Sequence, residues 1–393
     1  MSRRIDDICP RPDAPLDTVT RPLATPIYPA TVYQCDSTEQ AFGLLAGTVD
    51  GFVYSRDGHP NANLLADRCA ELHGTDRALV TGSGMSALSL ALVSLLEQGD
   101  HVVVSNQLYG KSLALWTGEA PRFGIRATAV EICDPAAVEA AIQPDTKLVL
   151  AETIANPMLR VADISSLAEL AHAGNAKLLI DNTFASPAVC RPAEFGADLV
   201  MESVTKIMNG HSDVMLGLLC FGQDNAERIK AAHSVWGLFP SPIDCWLAAR
   251  GLSTLAVRVE RAAANARAVA EGLAARDDIE AVYYPGLSGH VDHAVAARQF
   301  GEVFGNIVTF TLPGGTKAAD RFIHAAADSI PFCPSLGELS TTQTHPASTS
   351  HRLMTESDRE AIEIRGGTIR LSVGIESQEH IVSALQNALS ATA

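Results

Sequence analysis

Positive charge is in short supply in this chain: 29 lysines and arginines stand against 45 acidic residues, a net charge of −16. That deficit argues against a nucleic-acid or anionic-membrane partner, while leaving room for a local basic pocket that takes a small anion. Paired cysteines are lacking too. The eight cysteines (Cys9, Cys35, Cys69, Cys133, Cys190, Cys220, Cys245 and Cys333) are scattered with no C-x-x-C spacing, so reduced thiols in a cytoplasmic protein are expected. The N-terminus has charges at Arg3, Arg4, Asp6 and Asp7 but no apolar stretch behind them, so no signal peptide is expected. A long uncharged run does occur, from Ala78 to Leu96. It carries Thr81-Gly82-Ser83-Gly84 near its start, which predicts a strand, a tight turn and a buried helix rather than a membrane span. No internal repeat or low-complexity tract stands out.

What is present suits a soluble globular enzyme: 47% hydrophobic and 19% charged residues over 393 positions, long enough for two or three lobes. Residues 1–50 are rich in proline and without helical period, predicting an extended N-terminal arm that packs on something else. Residues 51–245 alternate strand and helix signals. Apolar runs such as Val102–Ser105, Leu148–Glu152, Lys177–Asp181 and Leu199–Met201 predict an α/β domain with a mostly parallel sheet covered by helices on both faces. Residues 246–393 predict a smaller α+β domain, with strands at 306–312 and 368–373. One long helix over 244–275 is expected to join the two.

Lys206 closes the run Ser203-Val204-Thr205-Lys206, just past a strand, and Asp181 closes the strand before it. In open α/β sheets ligands collect at the carboxyl ends of strands, so the two are expected to meet. A lysine that forms a Schiff base, with an aspartate to hold a protonated pyridine nitrogen, is the minimum apparatus for pyridoxal phosphate (PLP). Ser203 and Thr205 offer hydroxyls to its phosphate, and the glycine turn Gly82-Ser83-Gly84-Met85 at a helix start offers backbone N–H groups. That turn also matches a dinucleotide fingerprint, but the next strand ends in Ser105-Asn106 without the acid a ribose requires. Tyr54 and Arg56 share a face if extended, and arginine's fork matches phosphate oxygens. Tyr109, past a strand end, could stack on a flat ring. Asn156 sits in an Asn-Pro turn, from which it could donate to a cofactor ring oxygen or serve only as a turn-former. Arg370 lies in an apolar strand and needs an anionic partner, either a structural carboxylate or a substrate's. The His211/Asp213 pair is too sparse for a metal site. Ser203-Val-Thr-Lys206 also fits an S-x-x-K acyl-enzyme motif, although no K-T-G accompanies it.

Taken together, Tyr54-Ser-Arg56, Ser83-Gly-Met85, Leu108-Tyr109-Gly110, Asn156-Pro157, Asp181-Asn-Thr-Phe184, Ser203-Val-Thr-Lys206, Ser335-Leu-Gly337 and Arg370-Leu-Ser-Val-Gly-Ile-Glu376 resemble the Cys/Met-metabolism family of PLP enzymes. That family includes cystathionine γ-synthase, the cystathionine lyases and methionine γ-lyase. The resemblance, running from about Tyr28 to the C-terminus, implies the aspartate-aminotransferase-like fold of fold type I. It implies that Lys206 carries the cofactor and shuttles protons, that Asp181 keeps the pyridine nitrogen protonated, and that Tyr109 stacks on the ring and serves as an acid/base candidate. Ser83, Gly84, Met85, Ser203 and Thr205 would bind the phosphate, helped by Tyr54 and Arg56 of a neighbouring subunit in a tetramer built from two catalytic dimers. Asn156 and Arg370, with Ser335 beside them, would hold the substrate α-carboxylate. The implied reaction is elimination of a γ-substituent, with a carbon–sulfur bond as the target, giving a 2-oxo acid and ammonia. γ-Replacement (of the cystathionine γ-synthase or O-acylhomoserine sulfhydrylase type), cystathionine β-lyase chemistry and an oxygen-linked substrate such as canavanine stay open. Two departures bear on substrate choice. Pro334 stands where many cystathionine γ-enzymes have glutamate, and Lys111 stands where methionine γ-lyases have cysteine.

Overall fold

The structure, a computed structural model, describes residues 20, 22–352 and 354–391. The first part of the predicted arm, residues 1–19 and 21, lies outside the described residues. Seven strands form the larger sheet: β1 (Arg77–Thr81), β2 (His101–Ser105), β3 (Arg126–Val130), β4 (Thr146–Glu152), β5 (Lys177–Asp181), β6 (Leu199–Glu202) and β7 (Gly217–Phe221). Their spatial order is β1-β7-β6-β5-β4-β2-β3. The pairs β2–β3, β2–β4, β4–β5 and β5–β6 are parallel, while β7 runs antiparallel to both its neighbours.

The apolar runs that predicted these strands are continuous because both faces are covered. Side chains alternate between the two sides with period two. Leu178, Ile180 and Val200 join one core with Leu65 and Cys69 of helix Pro60–His73 and Leu167 of helix Ile164–Ala173. Leu179, Leu199 and Met201 join a second core with Leu88 and Leu92 of helix Gly84–Leu95 and Ile229 of helix Ala226–Val235. The uncharged run therefore ends in a buried 12-residue helix. No helix among the described residues is long and apolar enough to cross a membrane.

A smaller antiparallel sheet follows, with β8 (Ala281–Tyr283), β9 (Ile307–Thr311), β10 (Thr342–Thr344) and β11 (Thr368–Ser372) in the order β10-β11-β9-β8. Its residues Val308, Phe310, Ile369 and Leu371 belong to the first core, so the two sheets share apolar packing. The mostly parallel sheet and the smaller α+β unit match the expected fold class.

Two expectations need correction. The helix over 244–275 is two helices, Pro242–Leu252 and Leu255–Ala274. The Thr254 hydroxyl donates to Gly251 O, while Arg258 Nε donates to the Thr254 hydroxyl and Arg258 Nη2 to Gly251 O. Side-chain donors thus serve a carbonyl, Gly251 O, that a continuous helix would pair internally. The arm is not extended up to residue 50 either. Ser37, whose hydroxyl accepts from Gln40 N, caps a helix over Thr38–Leu45.

Candidate active site

The chain leaves β6 at Glu202 and turns at once. Lys206 N bonds to Ser203 O, Asn209 N to Val204 O and Gly210 N to Lys206 O. From the other side the buried Arg258 donates to Ile207 O and Met208 O, both at 2.9 Å. Gly337 explains why the turn is approached so closely. It sits at φ +86°, and a Cβ there would lie 2.6 Å from Ile207 N, so only glycine lets the segment pass. That contact delivers Ser335, whose hydroxyl accepts a 2.8 Å bond from Lys206 Nζ. Burial, and secondarily the nearby Arg370 guanidinium, lower the proton affinity of Lys206.

Asp181 ends β5 and is register partner of Glu152 at the end of β4. Both are buried. Burial raises the pKa of each; for Glu152 the neighbouring Asp181 charge adds to it and the carboxyl is pushed up to about 8. Asp181 Oδ1 accepts from Thr183 N at 3.0 Å, and the Thr183 hydroxyl accepts from Ser203 N at 2.9 Å. Glu152 accepts from Tyr109 N at 2.7 Å and Asn156 N at 3.2 Å, so one carboxyl sets the backbone of two predicted site residues. Glu152 and Thr183 were not singled out from the sequence. The signal was available for Glu152: an acid at the carboxyl end of an apolar strand, as for Asp181.

Ser83 caps helix Gly84–Leu95, its hydroxyl accepting from Ser86 N. A Cβ on Gly84 would come within 2.9 Å of Ser203 Cβ, so the helix N-terminus and the lysine turn form one narrow cradle that suits a phosphate. Thr205 lines it with its hydroxyl already bonded to Leu216 N and O.

Arg370, on β11 of the small sheet, is buried and belongs to none of the ion pairs among the described residues. Its partners are neutral: Asn156 Oδ1 at 2.7 Å and Ser335 O at 2.8 Å, with Nε left unpartnered. Burial pulls its pKa down to about 10. A buried guanidinium with no carboxylate is unfavourable unless an anion arrives; among the described residues no carboxylate pairs with Arg370, so the structural ion pair weighed from the sequence is not found there. Lys206, Asp181, Glu152, Thr183 and Arg370 face one cavity of about 290 Å³.

Ser83, Gly84, Met85, Tyr109, Asn156, Asp181, Ser203, Thr205, Lys206, Ser335 and Arg370 line this cavity together. Tyr54 and Arg56 do not. They are exposed, with Arg56 lying 5.2 Å over the Tyr54 ring. Pro334 lines the cavity and Lys111 does not. Phe184, Met215, Thr349 and Ser350 are lining residues without a predicted role; Ser350 Oγ lies 2.8 Å from His351 Nδ1. The lysine, the aspartate and the cradle fit PLP on their chemistry: an amine for its aldehyde, a carboxylate for its ring nitrogen and N–H and O–H donors for its phosphate.

Comparison with known proteins agrees. Residues 11–390 match the family of Cys/Met metabolism PLP-dependent enzymes. The chain is 37% identical over 373 residues to an L-methionine γ-lyase of Porphyromonas gingivalis, covering 93% of this chain and 92% of that one. It is also 37% identical over 365 residues to an O-succinylhomoserine sulfhydrylase of Pseudomonas aeruginosa, covering 93% and 90%. Among solved structures, the cystathionine γ-synthase of Xanthomonas oryzae pv. oryzae in complex with aminoacrylate and cysteine aligns with a TM-score of 0.90 at 36% identity, covering 96% of this chain and 95% of that one.

Proposed function

The chain belongs to the Cys/Met metabolism PLP-dependent enzyme family, and from that premise we propose that it is a lyase removing the γ-substituent of a homocysteine- or homoserine-type amino acid, with a 2-oxo acid and ammonia as products. One juxtaposition carries the reading. Ser335 accepts from Lys206 Nζ through its hydroxyl and from Arg370 through its carbonyl, so an amine and an anion-seeking guanidinium flank one residue. An α-amino acid carries the complementary pair, an amino group and a carboxylate on one carbon.

PLP supplies the electron sink for charge developed next to its ring. Lys206, lowered in proton affinity, serves as the base at Cα and returns the proton further along the substrate. Asp181 holds the ring nitrogen protonated, and Tyr109 covers the ring and is a second acid/base candidate. Ser83, Gly84, Met85, Ser203 and Thr205 hold the phosphate. Asn156 and Arg370 hold the carboxylate with Ser335 beside them. Tyr54 and Arg56 act in the cavity of a second copy of the chain. Support for this last point is that they are exposed and outside their own cavity, and that Phe42 and Leu45 of the arm stay 74% and 65% exposed, apolar surface that a partner would cover. We take the assembly to be a tetramer of two such dimers. The free thiols of the seven described cysteines fit a cytoplasmic setting.

The methionine γ-lyase relative favours elimination, and the sulfhydrylase relative at equal identity keeps γ-replacement as the second reading. Incubation with L-cystathionine, methionine, O-acetylhomoserine and canavanine, with identification of the oxo acid released, separates them. A four-carbon 2-oxo acid is the expected product. Pyruvate would mean β-elimination, and turnover only after a thiol is added would mean replacement.

A further inference from the structure

A second titratable pair lies behind the cavity floor, in none of the roles given above. Glu202, the last residue of β6, is 1% exposed, and His73, the last residue of helix Pro60–His73, is 0% exposed. His73 Nε2 stands 3.3 Å from Glu202 Oε1. That contact falls outside hydrogen-bond geometry, and both ring nitrogens and Glu202 Oε2 have no hydrogen-bond partner. Buried polar groups left in this state call for an explanation.

Glu202 Oε1 has one strong partner, Asn182 Nδ2 at 2.9 Å. Asn182 is the residue next to Asp181, and its side chain is held on every side: Nδ2 also donates to Cys190 O, and Oδ1 accepts from the Thr153 hydroxyl at 2.6 Å. Thr153 N in turn donates to Asp181 O. Neighbouring residues of an extended chain point to opposite sides, so an anchor on Asn182 behind the floor holds the direction of Asp181 in front of it.

We infer that Glu202 is a positioning residue, a neutral carboxylic acid set against His73 that anchors Asn182 and thereby fixes Asp181. This rests on the assignment of Asp181 to the cofactor's ring nitrogen. The neutral state follows from the surroundings. Burial carries the carboxyl well above its ordinary range and brings the imidazole down to about 3, with Arg191 adding to the second effect. The other titratable groups facing the pair are Asp181 and the thiols of Cys69, Cys190 and Cys220, none of them a cation. An ionised Glu202 would put another negative charge beside Asp181, whereas a neutral acid keeps the hydrogen bond without the repulsion.

The test uses the full-length protein loaded with PLP and two readouts, the dissociation constant for PLP and the pH midpoint of the bound cofactor's visible absorption. Glu202→Ala removes the anchor. PLP affinity falls about tenfold, the loss expected for one buried hydrogen bond. The midpoint moves upward, because a less firmly protonated ring withdraws less charge from the nitrogen joining it to Lys206. Glu202→Gln, isosteric and uncharged, keeps both readouts within about twofold of the unaltered protein. Thr153→Val, which cuts the other side of the Asn182 anchor, shifts both in the direction of Glu202→Ala and decides the matter should that variant not fold. Unchanged readouts in Glu202→Ala, or in Thr153→Val, overturn the inference. So does a Glu202→Gln protein as impaired as Glu202→Ala, since charge and not the hydrogen bond would then be at work. An unaltered protein that binds no PLP overturns the assignment of the site itself.

Discussion

Arg370→Lys keeps the positive charge and loses the planar fork. Because the guanidinium is spread between Asn156 Oδ1 and Ser335 O with Nε unpartnered, an ammonium cannot reproduce both anchors and a carboxylate contact. KM for the amino-acid substrate should rise by roughly 10- to 100-fold, the worth of one or two charge-assisted bonds, with a smaller change in kcat; steady-state kinetics reads both. Lys206→Ala should abolish turnover and the yellow, borohydride-bleachable colour together. Glu152 gives a prediction about pH. Its folded pKa, about 8, lies above the ordinary carboxylate value. A raised carboxyl contributes stability that is complete below the unfolded pKa near 4.3 and is lost as pH climbs toward 8. The apoprotein's Tm should therefore decline over that window, and in Glu152→Gln the decline should flatten; an equally steep curve in the variant would count against it. Legibility at this scale depended on context. Arg370 was legible because a charge inside an apolar strand is conspicuous. Glu152 read merely as the end of a strand, and His73 carried no signal, because their meaning lies in neighbours 29 and 129 positions away.

Among the elements, the turn after β6 is held by parts remote in sequence. Arg258 donates to its carbonyls from helix Leu255–Ala274, and Gly337 packs against its backbone. Arg258→Met leaves those buried carbonyls unpaired and should lower stability by about 2–4 kcal/mol, measured by denaturant unfolding of the apoprotein. A change below about 0.5 kcal/mol would show that water replaces the guanidinium without loss. The same arginine explains an element that was misread. Gly251 and Ser253-Thr254 are mild stop and start signals that were passed over inside an otherwise helical stretch, and the break they mark is held by Arg258 and Thr254, which serve Gly251 O. The strands of the large sheet were legible because burial on both faces demands uninterrupted apolar runs.

For the whole molecule, the positions of Tyr54 and Arg56 outside their own cavity predict complementation. Lys206→Ala and Arg56→Ala should each be inactive alone. Co-expressed, they should form mixed dimers in which one of the two sites draws every residue intact, recovering roughly a quarter of the sites in a random mixture. No recovery, with mixed dimers demonstrated, would place Arg56 outside the shared site. The resemblance pointed to this arrangement before the structure, but single-chain patterning could not, since it carries no information about a second copy.

The cavity is also divided by origin. Lys206, Asp181 and the helix cradle come from the large sheet, while Pro334, Thr344, Thr349 and Ser350 reach it from segments around the small one. Under the proposed function, the groups that would act at the reacting bond and those that would meet the far end of the substrate are thus encoded largely in separate stretches of the gene. Drift in the second set would then exchange one leaving group for another while the first stays untouched. A lineage built on this plan can change its diet by a few codons without having to reinvent its chemistry.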